Sequence, residues 1–127
     1  MSFGYALRKF RNERGLSLRE FGKLCEIDHA YIHRLEKDEK TSPSEDMVQS
    51  FVRNLKLSAR RARLLRFLAG REASEQLIEL FLEDEDRPLE VFESLAQMSF
   101  RGKRPDSKES WRECAARLEE WMNEREG

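Results

Sequence analysis

Apolar residues recur along this chain at a spacing of three or four, which is the period of an amphipathic helix. The longest such stripe lies near the C-terminus and consists of Trp111, Cys114, Ala115, Leu118, Trp121 and Met122. No run alternates apolar and polar residues as an exposed strand would, and Gly and Pro number only 6 and 3. The pattern therefore predicts an all-α protein.

Residues that typically begin and end helices divide these stripes into eight predicted helices. They span roughly 5–14, 18–25, 28–36, 43–55, 59–69, 74–82, 88–98 and 108–123. Ser17 is the expected N-cap of the second helix with Glu20 in capping-box position, and Pro43 is expected in the first turn of the fourth. Gly22 lies on the side that meets the third helix, where a missing side chain permits close approach.

The helix from Asp28 to Glu36 has two chemically different sides. Asp28 is a good N-cap because its carboxylate can accept hydrogen bonds from the first backbone N–H groups. Ile32 and Leu35 mark the buried side. The opposite side carries hydrogen-bonding and cationic groups and consists of His29, Ala30, His33, Arg34 and Lys37. A short helix with such a face, just after another short helix, suits the major groove of DNA.

The net charge of −1 conceals an asymmetry between the two halves of the chain. Residues 1–70 contain 15 lysines and arginines against 9 aspartates and glutamates, a net charge of +6. Residues 71–127 contain 9 against 16, a net charge of −7. A basic half favours a polyanionic partner and an acidic half does not, so the charges indicate two roles.

Several classes of protein are not favoured by this sequence. No apolar stretch approaches the roughly 20 residues of a membrane span, and the N-terminus does not resemble a signal peptide. Cys25 and Cys114 are far apart on apolar helical faces, which is typical of reduced thiols in a cytoplasmic protein. We find no phosphate-binding glycine loop and no nucleophile motif, so neither an enzyme nor a cofactor is predicted.

Two segments could in principle suggest a metal site, and neither has the full pattern. His29 and His33 have a metal-compatible spacing, but Ala30 follows the first histidine where a zinc peptidase helix needs Glu. The acidic run 83–86 lacks the alternating ligands and the glycine of a calcium loop. We therefore predict no metal site.

Short motifs over residues 3–70 occur in a combination typical of one family. They are an arginine-rich first helix followed by Gly15-Leu16-Ser17, Glu20-Phe21-Gly22, Ile27-Asp28, Tyr31-Ile32, Arg34-Leu35-Glu36 and Thr41-Ser42-Pro43-Ser44. In this combination the segment resembles the helix-turn-helix of the Cro and lambda-type repressors, the XRE family. The resemblance covers somewhat over half of the chain and implies a five-helix DNA-binding domain that recognises a double-stranded DNA operator.

The resemblance also implies roles for individual residues. Asp28 takes the N-cap position of the recognition helix, and base edges are expected to meet His29, Ala30, Arg34 and, alongside them, His33. The remaining residues expected to bind DNA are Ser17, Arg19 and Lys37, and the expected structural pair that ties helix one to helix three is Arg11 with Glu36.

Two residues depart from the family pattern. Glu26 stands in the turn where the family favours Gly, and a positive φ there would strain a glutamate. Leu18 stands where the family often has a phosphate-binding Gln. The turn geometry and the docking angle on DNA are therefore open.

A shorter resemblance lies between Phe100 and Trp111. With its basic connector 101–105, this segment is similar to the C-terminal part of the radiation-response repressors of deinococci. That resemblance implies a helical dimerisation module and a partner zinc metallopeptidase that cuts between Phe100 and Arg101. The simpler interpretation is a basic loop that only joins two helices. The residues expected to hold two subunits together are Trp111, Leu118, Trp121 and Met122.

Together these features predict an all-α chain with a five-helix lambda-repressor-like DNA-binding domain at 1–70 and a small helical dimerisation module at 71–127. The predicted function is a homodimeric transcriptional repressor that binds an inverted-repeat operator. The alternative is an XRE-like antitoxin or protein-interaction adaptor, which would bind a toxin or another protein through its acidic C-terminal half.

Overall fold

The computed structural model describes residues 2–37, 43–100 and 102–126, without the side chain of Glu126. The described residues form helices and no strand, which confirms the all-α prediction. The helices are α1 (Ser2–Glu13), α2 (Leu18–Cys25), α3 (His29–Glu36), α4 (Glu45–Leu55), α5 (Ala59–Leu68), α6 (Glu75–Glu83), α7 (Leu89–Gln97) and α8 (Lys108–Glu126). Thr41, Ser42 and Arg101, which contributed to the resemblances above, lie outside the described residues.

The chain divides into two compact units, one ending at Glu72 and the other beginning at Ala73. In the first unit α1 packs against α3 and α5, α2 packs against α3 and α4, and α4 packs against α5. Phe10, Phe21 and Phe51 are completely or almost completely buried there, and the rings of Phe21 and Phe51 lie 5.5 Å apart. This core holds α2 and α3 in place and leaves their other sides at the surface.

Serine side chains begin α2, α4, α5 and α6. Ser17, Ser44, Ser58 and Ser74 each accept a hydrogen bond from a backbone N–H in the first turn of α2, α4, α5 and α6. The expectation that Pro43 lies in the first turn of α4 is therefore wrong. Ser44 satisfies an N–H that would otherwise be unpaired, so it is favoured as the N-cap, and the proline lies outside the helix.

The first helix is longer than its apolar stripe predicted, since it begins at Ser2 instead of Tyr5. Gly4 explains the extension. A Cβ at this position would lie 2.3 Å from the carbonyl oxygen of Leu35 and 2.7 Å from that of Glu36. The N-terminal turn of α1 can thus pack directly on the C-terminal end of α3, and this packing stabilises a helical turn that has no sequence signal of its own.

In the second unit α8 packs against both α6 and α7, which also pack against each other. Its core contains Phe81, Phe92 and Trp111, all completely buried, with the two phenylalanine rings 5.5 Å apart. Ser107 begins α8, because its hydroxyl accepts from the backbone N–H of Ser110 at 3.1 Å.

Three apolar residues of the helices are only partly covered by other elements. Leu24 is 52% exposed because α2 turns Phe21, Gly22 and Cys25 inward and Leu24 away from them. Trp121 is 51% exposed because it lies beyond Ala115, the last buried residue described in α8. Cys114 is only partly buried. No described helix is long and apolar enough to cross a membrane.

Candidate nucleic-acid interface

The start of α2 is fixed by a reciprocal pair of hydrogen bonds. The Ser17 hydroxyl accepts from the backbone N–H of Glu20 at 3.1 Å, and the Ser17 N–H donates to the Glu20 carboxylate at 3.0 Å. This is the predicted capping box. The hydrogen bonds from Ser17 hold the pKa of the Glu20 carboxyl below its usual value. The capped N-terminus brings Ser17 and Arg19 to the surface, where both side chains are exposed.

The turn between α2 and α3 is tight. Glu26 adopts the left-handed conformation, with φ 56° and ψ 40°, so the turn keeps a positive φ although the residue is not Gly. Gly22 makes room for it, since a Cβ there would lie 2.8 Å from the carbonyl oxygen of Ile27 and 3.2 Å from the Cβ of His29. The close approach predicted at Gly22 is confirmed. The same tight turn requires the left-handed conformation of Glu26, which is strained for a residue other than Gly.

The two sides of α3 differ as its sequence pattern predicted. Asp28 is the N-cap, and its carboxylate accepts from the backbone N–H of Ala30 at 2.9 Å. Ile32 is completely buried and Leu35 almost so. All five residues of the opposite side are exposed, namely His29, Ala30, His33, Arg34 and Lys37. We call these five residues the α3 outer face.

Arg11 holds the end of α3 against α1. Its Nε and one terminal nitrogen donate to the two carboxylate oxygens of Glu36 at 2.7 and 2.9 Å, while the other terminal nitrogen donates to the carbonyl oxygen of Leu16 at 2.8 Å. The two side chains are only 11% and 3% exposed. The hydrogen bond to Glu36 raises the pKa of the Arg11 guanidinium. One arginine thus links α1, the segment before α2 and the last turn of α3.

A shallow depression lies between α2 and α3, next to the α3 outer face. It is lined by Arg19, Gly22, Lys23, Ile27 and His29. Lys23 was not singled out in the sequence, although it follows Arg19 by four positions on the same helix and is exposed. That spacing is the signal that identifies it, because such residues share one helical face. Lys23 extends the cationic surface beside α3.

On α3 itself, the guanidinium of Arg34 lies 6.0 Å from the centre of the Tyr31 ring. This contact lies at the limit of a cation–π interaction. The donor groups of the Arg34 guanidinium are exposed to solvent. A planar guanidinium presents its donors in a geometry that suits two hydrogen bonds to a planar acceptor.

The C-terminal residues singled out earlier belong to the second unit. Trp111 is completely buried, Leu118 and Met122 are half-buried, and Trp121 is exposed. Phe100 is half-buried against Trp111, whereas Arg101 lies outside the described residues. The four residues of the proposed dimer face therefore do not form one equally accessible surface.

Two further observations bear on what this chain can do. Among the described residues, no three His, Cys, Asp or Glu side chains lie close enough together to hold a metal ion. In comparisons with known proteins, a family model described as a helix-turn-helix domain matches residues 2–65. No curated protein matches the chain.

Proposed function

Because this chain belongs to the helix-turn-helix domain family, we propose that it is a transcriptional repressor of the XRE type that binds an inverted-repeat operator as a homodimer. The family makes it a DNA-binding regulator, and the proposal adds the mode of binding and its consequence. The α3 outer face carries the proposal, because it is exposed, polar and held rigidly by Arg11 and Glu36.

In the proposed complex α3 enters the major groove. The guanidinium of Arg34 forms two hydrogen bonds with one guanine, and the methyl group of Ala30 contacts a thymine methyl. His29 and His33 face the neighbouring base edges. The side chains that bind the phosphates on either side are Ser17, Arg19, Lys23 and Lys37. Phosphate contacts orient the protein on the duplex, while the base contacts distinguish one sequence from another.

Two copies are proposed to pair through the exposed apolar part of α8. Leu118 and Met122 are half-buried and Trp121 is exposed, with the Arg125 guanidinium 5.0 Å from the Trp121 ring. A large aromatic side chain flanked by half-buried aliphatic ones is a typical centre of a protein interface. Pairing presents two α3 helices to half-sites about one helical turn apart.

The regulatory step proposed is a cut between Phe100 and Arg101 by a partner zinc metallopeptidase. Its support is the resemblance described above and the exposure of Gly102 and Lys103, which follow the proposed bond. Without α8 the remaining chain keeps its DNA-binding half but loses its proposed pairing surface. Loss of tethering lowers affinity for a two-half-site operator by a factor of about 10² to 10⁴.

The proposal is tested by fluorescence anisotropy with labelled duplexes, one from upstream of the chain's own gene and one of random sequence. We expect tight binding to the first duplex. The logarithm of the binding constant should fall steeply with the logarithm of salt concentration, by about 0.9 per phosphate contact.

A nearly flat salt dependence and equal affinity for both duplexes would overturn the proposal. That result would favour an antitoxin or adaptor that acts through its acidic half, which carries a net charge of −7 over residues 71–127.

A further inference from the structure

The helix α8 is bound to the rest of the second unit as a peptide helix is bound to a groove. Trp111 and Ala115 are completely buried where α8 packs against α6 and α7. On the receiving side Leu77, Phe81 and Phe92 are also completely buried. An amphipathic helix that inserts an aromatic anchor into an apolar groove is a recurring mode of peptide recognition. Here the peptide and the groove belong to one chain.

Ion pairs hold α8 at two further points. Near its start the Lys108 ammonium lies 2.6 Å from the Glu83 carboxylate and 3.8 Å from that of Glu79, both on α6. In its middle Glu119 accepts from Arg87 at 2.8 Å, and the Arg87 side chain is only 15% exposed. These pairs fix the register of the helix along the groove, because the two α8 residues that they hold, Lys108 and Glu119, lie more than two helical turns apart.

The segment between α7 and α8 also contacts α8 through side chains. The rings of Phe100 and Trp111 meet edge to face with their centres 5.7 Å apart. The Arg104 guanidinium lies 5.2 Å from the Phe100 ring and 5.3 Å from the Trp111 ring, and it donates to the carbonyl oxygen of Met98 at 3.2 Å. The contacts of Phe100 with Trp111 and of Arg104 with Phe100 and Met98 each join a residue before the connector's basic run to a residue within or after it.

We propose that α6 and α7 form a helix-binding groove that holds α8 without a covalent link, so that a cut in the 98–107 connector leaves the second unit assembled until α8 dissociates in a separate step. The occupant of the groove is α8 of the same chain. The groove provides an apolar site for Trp111 of α8. It also provides the carboxylates of Glu79 and Glu83 for Lys108, which lies three residues before Trp111. This deepens the cleavage step of the proposed function and separates cutting from release.

One polar group of the buried Trp111 side chain lacks a hydrogen bond, and this affects the dissociation of α8. The indole Nε1 of Trp111 is buried and has no hydrogen-bond partner among the described residues. A buried N–H without a partner lowers the affinity of the groove for its helix. The binding of α8 therefore depends on apolar packing and on the flanking ion pairs, and both can be varied separately.

The test uses the full chain with a foreign protease site inserted between Gly102 and Lys103, which are both exposed. After complete cutting, the two fragments are examined at micromolar concentration by native mass spectrometry and size-exclusion chromatography. We expect them to remain together. A labelled synthetic peptide of residues 103–127 should then exchange into the cut protein at the rate at which the fragment dissociates, and not into the uncut protein.

Matched variants on the same helix identify the anchor. Trp111→Ala should raise the dissociation rate of the cut fragment at least about 100-fold, because a large buried ring is lost. Glu120→Ala changes an exposed residue of the same helix that has no part in the groove or in the proposed pairing surface, and it should change that rate less than about twofold. Trp111→Phe keeps a ring and removes the unpaired N–H, so it provides a folded variant of intermediate rate if the alanine variant does not fold.

Immediate separation of the wild-type fragments on cutting would overturn the inference, as would equal effects of the two alanine variants. Neither outcome depends on DNA or on a natural peptidase. Failure of the proposed function would instead be seen as absence of operator binding by the uncut chain.

Discussion

At the scale of single residues, the α3 outer face differs from other helical surfaces in its hydrogen-bonding and cationic side chains. Its backbone is an ordinary helix with Asp28 as N-cap. What distinguishes Arg34 from the arginines of α5 is its surroundings. Arg61 pairs with Glu13 and lies 5.3 Å from the Phe10 ring, and Arg66 donates to Gln49 at 2.6 Å. Those guanidinium groups hold helices together, whereas that of Arg34 is directed to solvent.

Replacement of Arg34 by Ala should weaken operator binding by about 1–3 kcal/mol, because the two hydrogen bonds proposed between its guanidinium and one guanine are lost. The preference should relax at one base pair only. Binding to a set of operators with single substitutions measures this directly. Lys37→Ala is the control, since a phosphate contact should weaken binding to every duplex alike. An equal loss on random DNA for Arg34→Ala would refute its role in base recognition.

Gly4 is the second residue whose environment determines its role. Gly4→Ala should lower the free energy of unfolding by about 1–3 kcal/mol, because the new methyl group would overlap the backbone at the end of α3. Urea unfolding followed by circular dichroism provides the measurement. Gly70→Ala is a matched control, because a Cβ there meets nothing within 4 Å. If both variants were equally stable, the tight packing of α1 on α3 would not be needed.

At the scale of elements, the position of α3 depends on a nearly buried ion pair. Arg11→Ala leaves the Glu36 carboxylate, which is 3% exposed, without its partner, and should cost about 3–5 kcal/mol of stability. The double variant Arg11→Met with Glu36→Leu should recover most of this loss. Urea midpoints of the two single variants and the double variant test it, and a double variant no better than Arg11→Ala would contradict it.

The pKa of Arg11 also predicts how this pair responds to pH. Since Glu36 raises the pKa of the guanidinium in the folded protein, its contribution is fully present below the unfolded pKa. It is lost only as the pH rises through the folded pKa, far above the neutral range. The stability difference between the wild type and Arg11→Ala should therefore not decrease between neutral and mildly alkaline pH.

The connector between α7 and α8 is a second element whose behaviour depends on one arginine. Arg104→Ala removes the hydrogen bond to Met98 and the stacking on Phe100 and Trp111. We expect chymotrypsin to cut after Phe100 about tenfold faster in this variant, since a restrained backbone must open locally before cleavage. Arg112→Ala is the control, because Arg112 lies on α8 and pairs with the exposed Glu109 at 2.6 Å. Equal cleavage rates would show that Arg104 does not restrain the segment.

At the scale of the whole molecule, the chain combines a basic unit with an acidic one, and the two have different tasks in the proposed function. A net charge of +6 over residues 1–70 favours a polyanion. A net charge of −7 over residues 71–127 makes two copies of the second unit repel each other, so their pairing needs apolar contact. The exposed Trp121 provides such a surface.

Replacement of Trp121 by Glu should therefore weaken the proposed homodimer by a factor of about 30 or more, the effect of losing a central interface residue. Folding should be retained because the side chain is 51% exposed. Sedimentation velocity over a concentration series measures the change. Glu109→Gln, in the first turn of α8, is the control and should leave the dimer intact. A Trp121 variant that dimerises normally would place the interface elsewhere.

Much of the fold could be predicted from local signals. The capping box of Ser17 and Glu20, the N-cap Asp28 and the two sides of α3 are all present in the structure. Each of these features depends on residues within one or two helical turns of each other, so it can be predicted from the order of residues in the sequence. The same holds for Gly22, because the turn that it permits lies only a few residues further along the chain.

The residues that sequence reasoning missed depend on distant partners. Apolar periodicity assigns a side chain to a helical face, but it does not say whether another element covers that face. Leu24 follows Phe21 at helical spacing, yet it is 52% exposed. Arg104 belonged to a basic run typical of a hydrated loop, yet it stacks on two aromatic rings.

The sequence by itself determined most of the extent of the helices, the caps Ser17 and Asp28, and the chemistry of the α3 outer face, because these follow from hydrogen bonds and side-chain spacing over a few residues. Only the tertiary structure decided that Gly4 packs against the end of α3 and that α8 fills a groove of α6 and α7. Such contacts join residues far apart in the chain, and their free energy comes from burial and shape complementarity between elements. No local pattern contains that information.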